Sequence, residues 1–212
     1  MRFYSKSSKY FKLIFLLFVI LILVSCIGID TNISFNKDGS GKLSIQYKIS
    51  KMVVNLGASN EEALIVPLPV SKDDFKRSIE KTKGLELLSF KQSEDEDNIY
   101  ITAVIGFNKI ENFKEMKGFN SMPATLKKQG DLFLFSQRIA TKPEHIPDKD
   151  SLKMIDALFK GYKISFTIKA PKEIQSHNMG NLSPDKRTLT YSIPVAELVR
   201  IKKDTYLNLS WQ

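Results

Sequence analysis

Residues 29–50 read IDTNISFNKDGSGKLSIQYKIS, and the spacing of their apolar side chains decides the fold class. Ile29, Thr31, Ile33 and Phe35 alternate with Asp30, Asn32, Ser34 and Asn36. Leu43, Ile45, Tyr47 and Ile49 alternate with Lys42, Ser44, Gln46, Lys48 and Ser50. A period of two places one set on a buried sheet face and the other in water. The connection NKDGSG (36–41) collects residues that tolerate turns and positive φ. The stretch therefore predicts an antiparallel hairpin. It is not a calcium loop: with Gly39 at the sixth position of an EF-hand, the bidentate glutamate position falls on Ile45. It also lacks the Gly-Lys-Ser/Thr ending of a phosphate loop.

Just before this hairpin lies a different kind of segment. Arg2, Lys6, Lys9 and Lys12 precede LIFLLFVILILV (13–24), and Ser25 and Cys26 follow. A basic stretch, a short apolar run and a small residue form the pattern of a secretory signal. The run falls short of the ~20 residues a helix needs to cross a bilayer. Its basic end stays in the cytoplasm, so the rest of the chain faces outward. LVSC (23–26) resembles the lipobox of bacterial lipoproteins, in which cleavage occurs before a cysteine that carries diacylglycerol. The expectation is a lipoprotein signal peptide over 1–25, cleavage between Ser25 and Cys26, and lipid on Cys26. The alternative is an uncleaved signal anchor that happens to contain a cysteine. Both tether the chain to a membrane on its extracytoplasmic side, in the bacterial cell envelope. The first strand starts about three residues after Cys26, a reach of only ~10 Å, so the domain is expected close to the bilayer.

The whole chain has 212 residues and a net charge of +9. The first 25 residues hold four of its 32 Lys and Arg and none of its 23 Asp and Glu, so residues 26–212 carry +5. That excess favours anionic lipid modestly and gives no dense basic stretch for nucleic acid. Cys26 is the only cysteine, so no internal disulfide forms and the fold rests on its core. Residues 26–212 are read as one extracytoplasmic domain. The proline-bearing stretch 140–150, ATKPEHIPDKD, is a candidate divider between two halves of it.

Further along, Ser71 reads as the cap of a helix with Asp73 and Asp74 in its first turn, Phe75 and Ile79 on its apolar stripe and Gly84 as its stop. Strands are predicted over 85–92 and 98–107, a short helix over 110–117, and a hairpin over 125–138 around Gly130. A helix over 151–160 is expected, capped by Asp150 or Ser151. Alternation at Ile164–Phe166–Ile168, Leu189–Tyr191–Ile193 and Leu207–Leu209–Trp211 marks three more strands. VAELV (195–199) reads as a helical turn. The segments 52–57 and 65–70 are ambiguous, a short helix and an extended run. Strand following strand indicates α+β: a curved antiparallel sheet of about eight to ten strands with three or four short helices.

Chemistry-bearing motifs are sparse. His145 beside Glu144 and His177 before Asn178 both fall in loops, outside any spaced metal motif. The acidic run Glu94–Asp97 lacks the spaced oxygens of a calcium site and reads as a solvated hairpin tip. No GxSxG elbow occurs. No catalytic residue, metal ligand or cofactor is therefore expected, and the chain is read as a non-enzyme.

The segments CIGIDTNISFNKDGSGKLSIQYKIS (26–50) and KISFTIKAPKEIQSHNMGNLSPDKRTLTYSIPVAEL (163–198) resemble the LppM-type bacterial lipoproteins. The shared features are a cysteine followed closely by a strand, an Asp-Gly-Ser-Gly hairpin, and a C-terminal strand pattern broken by Ala-Pro and an Asn/Gly turn. The match covers the two ends; the middle agrees only in its order of elements. The resemblance implies an α+β domain with a curved antiparallel sheet and, from the mycobacterial member, binding of envelope glycolipids. Some relatives carry a transmembrane helix after the domain. None follows here before Gln212, so lipid on Cys26 is the expected anchor. Two functions are thus expected in competition. One is a lipid or glycolipid carried in an apolar cavity under the sheet. The other is a surface interaction or scaffold protein with a solid core and no small ligand.

Overall fold

The structure is a computed structural model that describes residues 28–51, 69–116, 119, 123–143 and 147–212. Strands β1 (Ile29–Phe35) and β2 (Gly41–Ser50) form the predicted hairpin, with Ile29 opposite Tyr47 and Phe35 opposite Gly41. Gly39 takes φ 87° in the turn, a conformation glycine adopts without a Cβ penalty. Asp38 accepts hydrogen bonds from the Ser40 amide (3.0 Å) and hydroxyl (2.6 Å), which closes the loop.

Helix α1 (Lys72–Glu80) follows, with Ser71 as its N-cap. The Ser71 hydroxyl accepts from the Asp74 amide at 3.2 Å, and the Asp74 carboxylate accepts from the Ser71 amide at 3.1 Å. This reciprocal pair satisfies two amides that a helix start leaves unpaired. Phe75 and Ile79 are buried, and the Phe75 ring lies 5.6 Å from that of Phe90. Strands β3 (Leu85–Glu94) and β4 (Asn98–Phe107) come next, followed by a 3-10 helix (Ile110–Glu115). Then come β5 (Ala124–Gln129), β6 (Leu132–Ala140) and helix α2 (Lys149–Leu158). The C-terminal part holds β7 (Lys163–Lys169), β8 (Ile174–His177), β9 (Asn181–Leu182), β10 (Thr188–Pro194), the single turn α3 (Val195–Leu198) and β11 (Thr205–Trp211).

The architecture is α+β, as the strand-after-strand order predicts. The strands form two sheets rather than one: a seven-stranded sheet ordered β3-β4-β2-β1-β7-β10-β9 and a four-stranded sheet ordered β5-β6-β11-β8. One pair in the larger sheet, β1 with β7, is parallel. The described residues hold eleven strands, because the short β8 and β9 add to those that alternation reveals.

Three expectations need refinement or correction. The stretch 140–150 separates two halves of the chain only in sequence order, since both halves contribute to both sheets, β7 pairing with β1 and β11 with β6. The cap of α2 is Asp148, whose carboxylate accepts from the amides of Asp150 (3.0 Å) and Ser151 (2.8 Å). A third concerns 110–117, where the helix is 3-10 and ends at Glu115. The readings over 52–57 and 65–68 lie outside the described residues.

The two sheets share one core. Phe35 of the larger sheet meets three rings: Phe107 at 5.7 Å, Phe135 at 5.4 Å and Trp211 at 5.2 Å. Trp211 also stacks on Phe133 at 5.7 Å. Such edge-on and offset contacts match the ring quadrupoles and add to the apolar burial itself. Among the described residues, the Gln137 carbonyl oxygen and the Trp211 indole N–H, on the inner face of the smaller sheet, are buried without a hydrogen-bond partner.

Candidate functional site

The outward face of the four-stranded sheet forms a half-open groove of about 530 Å³. Its geometry follows from strand register. Thr125 pairs with Ser136, which pairs with Asn208, making one row of side chains across the sheet. Lys127 pairs with Leu134, Leu134 with Ser210, and Ser210 with Ser176, making a second. Rows on one face lie two residues, or ~7 Å, apart, and four strands span ~14 Å. The floor is thus the size of one or two sugar rings.

The lining chemistry is mostly short and uncharged. Thr125, Ser136, Ser176, Asn178, Asn208 and Ser210 supply hydroxyls and amides, Leu134 an apolar centre, and Lys127 and His177 the ionisable groups. Asn178 is held in place by two bonds to β11: its Nδ2 donates to the Tyr206 carbonyl and its Oδ1 accepts from the Asn208 amide, both at 2.8 Å. The Ser176 and Ser210 hydroxyls lie 2.7 Å apart. Thr125 and Ser136 are half-buried. Among the described residues, no carboxylate lines the groove. A general acid-base pair needs proton donors and acceptors of matched pKa, whereas this set suits hydrogen bonding to a polyhydroxylated partner.

The sequence-predicted residues distribute as follows. Ser25 and Cys26 lie outside the described residues, as do Glu144 and His145. His177 sits at the groove edge, exposed, with Nδ1 3.3 Å from the Met179 carbonyl. Among the described residues, no three His, Cys, Asp or Glu side chains come together to hold a metal. The groove is missed by motif reasoning because most of its polar members occupy ordinary alternating positions of four separate strands, with no local spacing that links them.

The acidic run forms a hairpin tip. Asp95 accepts from the amides of Asp97 (2.9 Å) and Asn98 (2.7 Å) and from the Tyr100 hydroxyl at 2.6 Å. The Tyr100 bond, foremost, lowers the Asp95 carboxyl to about 2. A depressed carboxyl favours the folded state above its unfolded value, and this contribution fades as pH falls toward 2. The substitution Tyr100→Phe is expected to move the Asp95 midpoint up toward its usual 3.8, read by carboxyl-carbon NMR titration. An unchanged midpoint in that variant would assign the depression to the two amides instead.

No family model matches the chain, and no curated protein matches it. Among solved structures it is similar to the NMR structure of the folded domain of the LppM protein of Mycobacterium tuberculosis. The two are 10% identical, with 88% of this chain and 90% of that one covered, at a TM-score of 0.47. At that score and identity, the likeness transfers neither a ligand nor a site residue to this chain.

Proposed function

We propose that this chain is a non-catalytic lipoprotein of the bacterial envelope. In this reading it is tethered through Cys26 and binds the hydroxyl-bearing headgroup of an envelope lipid or glycolipid in the groove of the four-stranded sheet. The observation that supports this is the groove itself, with five short hydroxyl and amide side chains in two cross-strand rows around Leu134 and Asn178 beside them. Such a surface replaces the water bonds of a sugar or glycerol headgroup and offers Lys127 to an attached phosphate. Leu134 packs against the apolar face of a ring. The aromatic packing between the sheets directs this reading to the outer groove instead of an apolar cavity beneath the sheet.

Native mass spectrometry of the chain extracted from its own membranes tests this. Stoichiometric retention of a lipid or glycolipid is expected, together with groove chemical shifts that move on titration with the soluble headgroup. Ser136→Phe fills the middle of the groove from a half-buried position and is expected to weaken binding by about tenfold or more, equivalent to about 1.4 kcal/mol or more. Retention that is equal in wild type and Ser136→Phe would place the ligand elsewhere. No retained lipid in either would leave the scaffold reading.

A further inference from the structure

Helix α2 is amphipathic, and the fold uses only part of its apolar face. Successive residues turn by about 100°, which gathers Ser151, Leu152, Met154, Ile155 and Phe159 on one arc and Lys149, Asp150, Lys153, Asp156 and Ala157 on the other. No described side chain of the helix is buried: Leu152, Ile155 and Phe159 are half-buried, and Met154 is 60% exposed. An exposed methionine beside three half-exposed apolar residues is an incompletely covered stripe.

The helix lies at the end of the sheet where the chain enters it. The helix leads through Tyr162 into β7, and β7 runs parallel to β1 with Ile164 opposite Ile29. The two strands therefore start at the same end of the sheet. Gly28 packs there so closely that a Cβ would collide with the Lys163 carbonyl oxygen. Cys26 lies two residues before Gly28, within ~7 Å of chain. The same end is braced around the helix. The Tyr162 ring sits edge-on to Phe159 at 6.3 Å with Lys48 over it at 5.3 Å, and Arg200 grips Asp156 through two bonds of 2.8 Å. Lysines flank the stripe at 149, 153, 160 and 163. Asp150 is paired with Lys153 at 2.9 Å, Asp156 and Glu197 with Arg200, and Asp148 caps the helix, so the four lysines and Arg200 outnumber these four acids by one.

We propose that helix α2 is a membrane-contacting element that lies in the bilayer interface beside the tether and holds the domain in one orientation. The inference rests on the tethered reading above. An amphipathic helix with lysines at its flanks seats its apolar face at the headgroup boundary while the ammonium groups stay among the phosphates. The tether alone leaves the domain free to rotate, and a second contact at the same end removes that freedom.

The test uses the full chain, extracted from its own membranes and reconstituted into vesicles of phosphatidylcholine and phosphatidylglycerol. Met154→Cys is labelled with an environment-sensitive fluorophore and compared with Lys37→Cys, in the turn at the far end of β1. The unsubstituted chain reports any labelling of Cys26. A blue-shifted Met154→Cys label, quenched by spin-labelled lipid several-fold more than the Lys37→Cys label, is expected. A chain that floats with vesicles while both labels resist quenching overturns this inference and leaves the tether standing. A chain that does not float overturns the tether and this inference with it. A blue shift without lipid quenching means a protein covers the helix, and that also overturns it.

Discussion

Trp211→Ala is expected to lower the stability of the domain by about 3–5 kcal/mol, the range for truncating a buried tryptophan or phenylalanine. Trp211 is fully buried although it is the penultimate residue of the chain. It lies on β11, the strand between β6 and β8, and its ring touches Phe133 of its own sheet and Phe35 of the other. Removing it opens a cavity between the sheets and frees both neighbouring rings. Its indole N–H has no partner among the described residues, so alanine breaks no hydrogen bond to them and the loss is one of packing. Trp211→Phe is accordingly expected to cost far less, about 1–2 kcal/mol. Tyr206→Ala, at an exposed position on the same strand, is expected to stay within about 0.5 kcal/mol. Urea unfolding measures all three. A Trp211→Ala midpoint close to wild type would mean that the two sheets do not depend on this contact.

Cys26→Ser is expected to have an all-or-none effect on processing. In the proposed lipoprotein the mature chain begins at Cys26, carries diacylglycerol on its sulfur and has lost residues 1–25. A hydroxyl is a far weaker nucleophile than a thiolate and forms no thioether. The variant is expected to keep its leader and take up no radiolabelled palmitate. Intact-mass measurement of membrane-extracted chain reads both events at once: loss of the 25 residues and gain of lipid mass in wild type, neither in the variant. A wild-type chain that keeps all 212 residues and no lipid would establish the uncleaved signal anchor.

Much of the local structure was legible. The β1–β2 hairpin was readable because both strands alternate over seven or more residues and the intervening turn has the residues that turns need. The start of α1 was readable because Ser71 and Asp74 sit three apart, the spacing at which each reaches the other's amide. The cap of α2 lies two or three residues before the expected Asp150 or Ser151, because Asp148, Asp150 and Ser151 are all good caps and only the backbone shows which side chain faces the free amides. Gln137 stands in an inward register position of β6, yet nothing local signals that its carbonyl is buried without a donor among the described residues.

Strand partners were not legible in the same way. Alternation states which face of a strand is dry but not which strand lies beside it. The parallel union of β1 with β7 joins Thr31 to the Ser165 carbonyl across 134 residues. The groove depends on pairings of the same kind. Thr125, Ser136, Ser176 and Asn208 each look like a solvated strand residue in sequence, and register alone aligns them.

By itself, the sequence determined the α+β class, the strand faces and most of the helix starts, because these depend on side-chain period and on hydrogen bonds within a few residues. Only the tertiary structure decided that the strands divide between two sheets, that Trp211 and Phe35 join them, and that a polar groove forms on one outer face. Only the fold brings α2 to the end where β1 begins. These follow from contacts between distant parts of the chain, whose energies arise only after burial, register and strand order are established together.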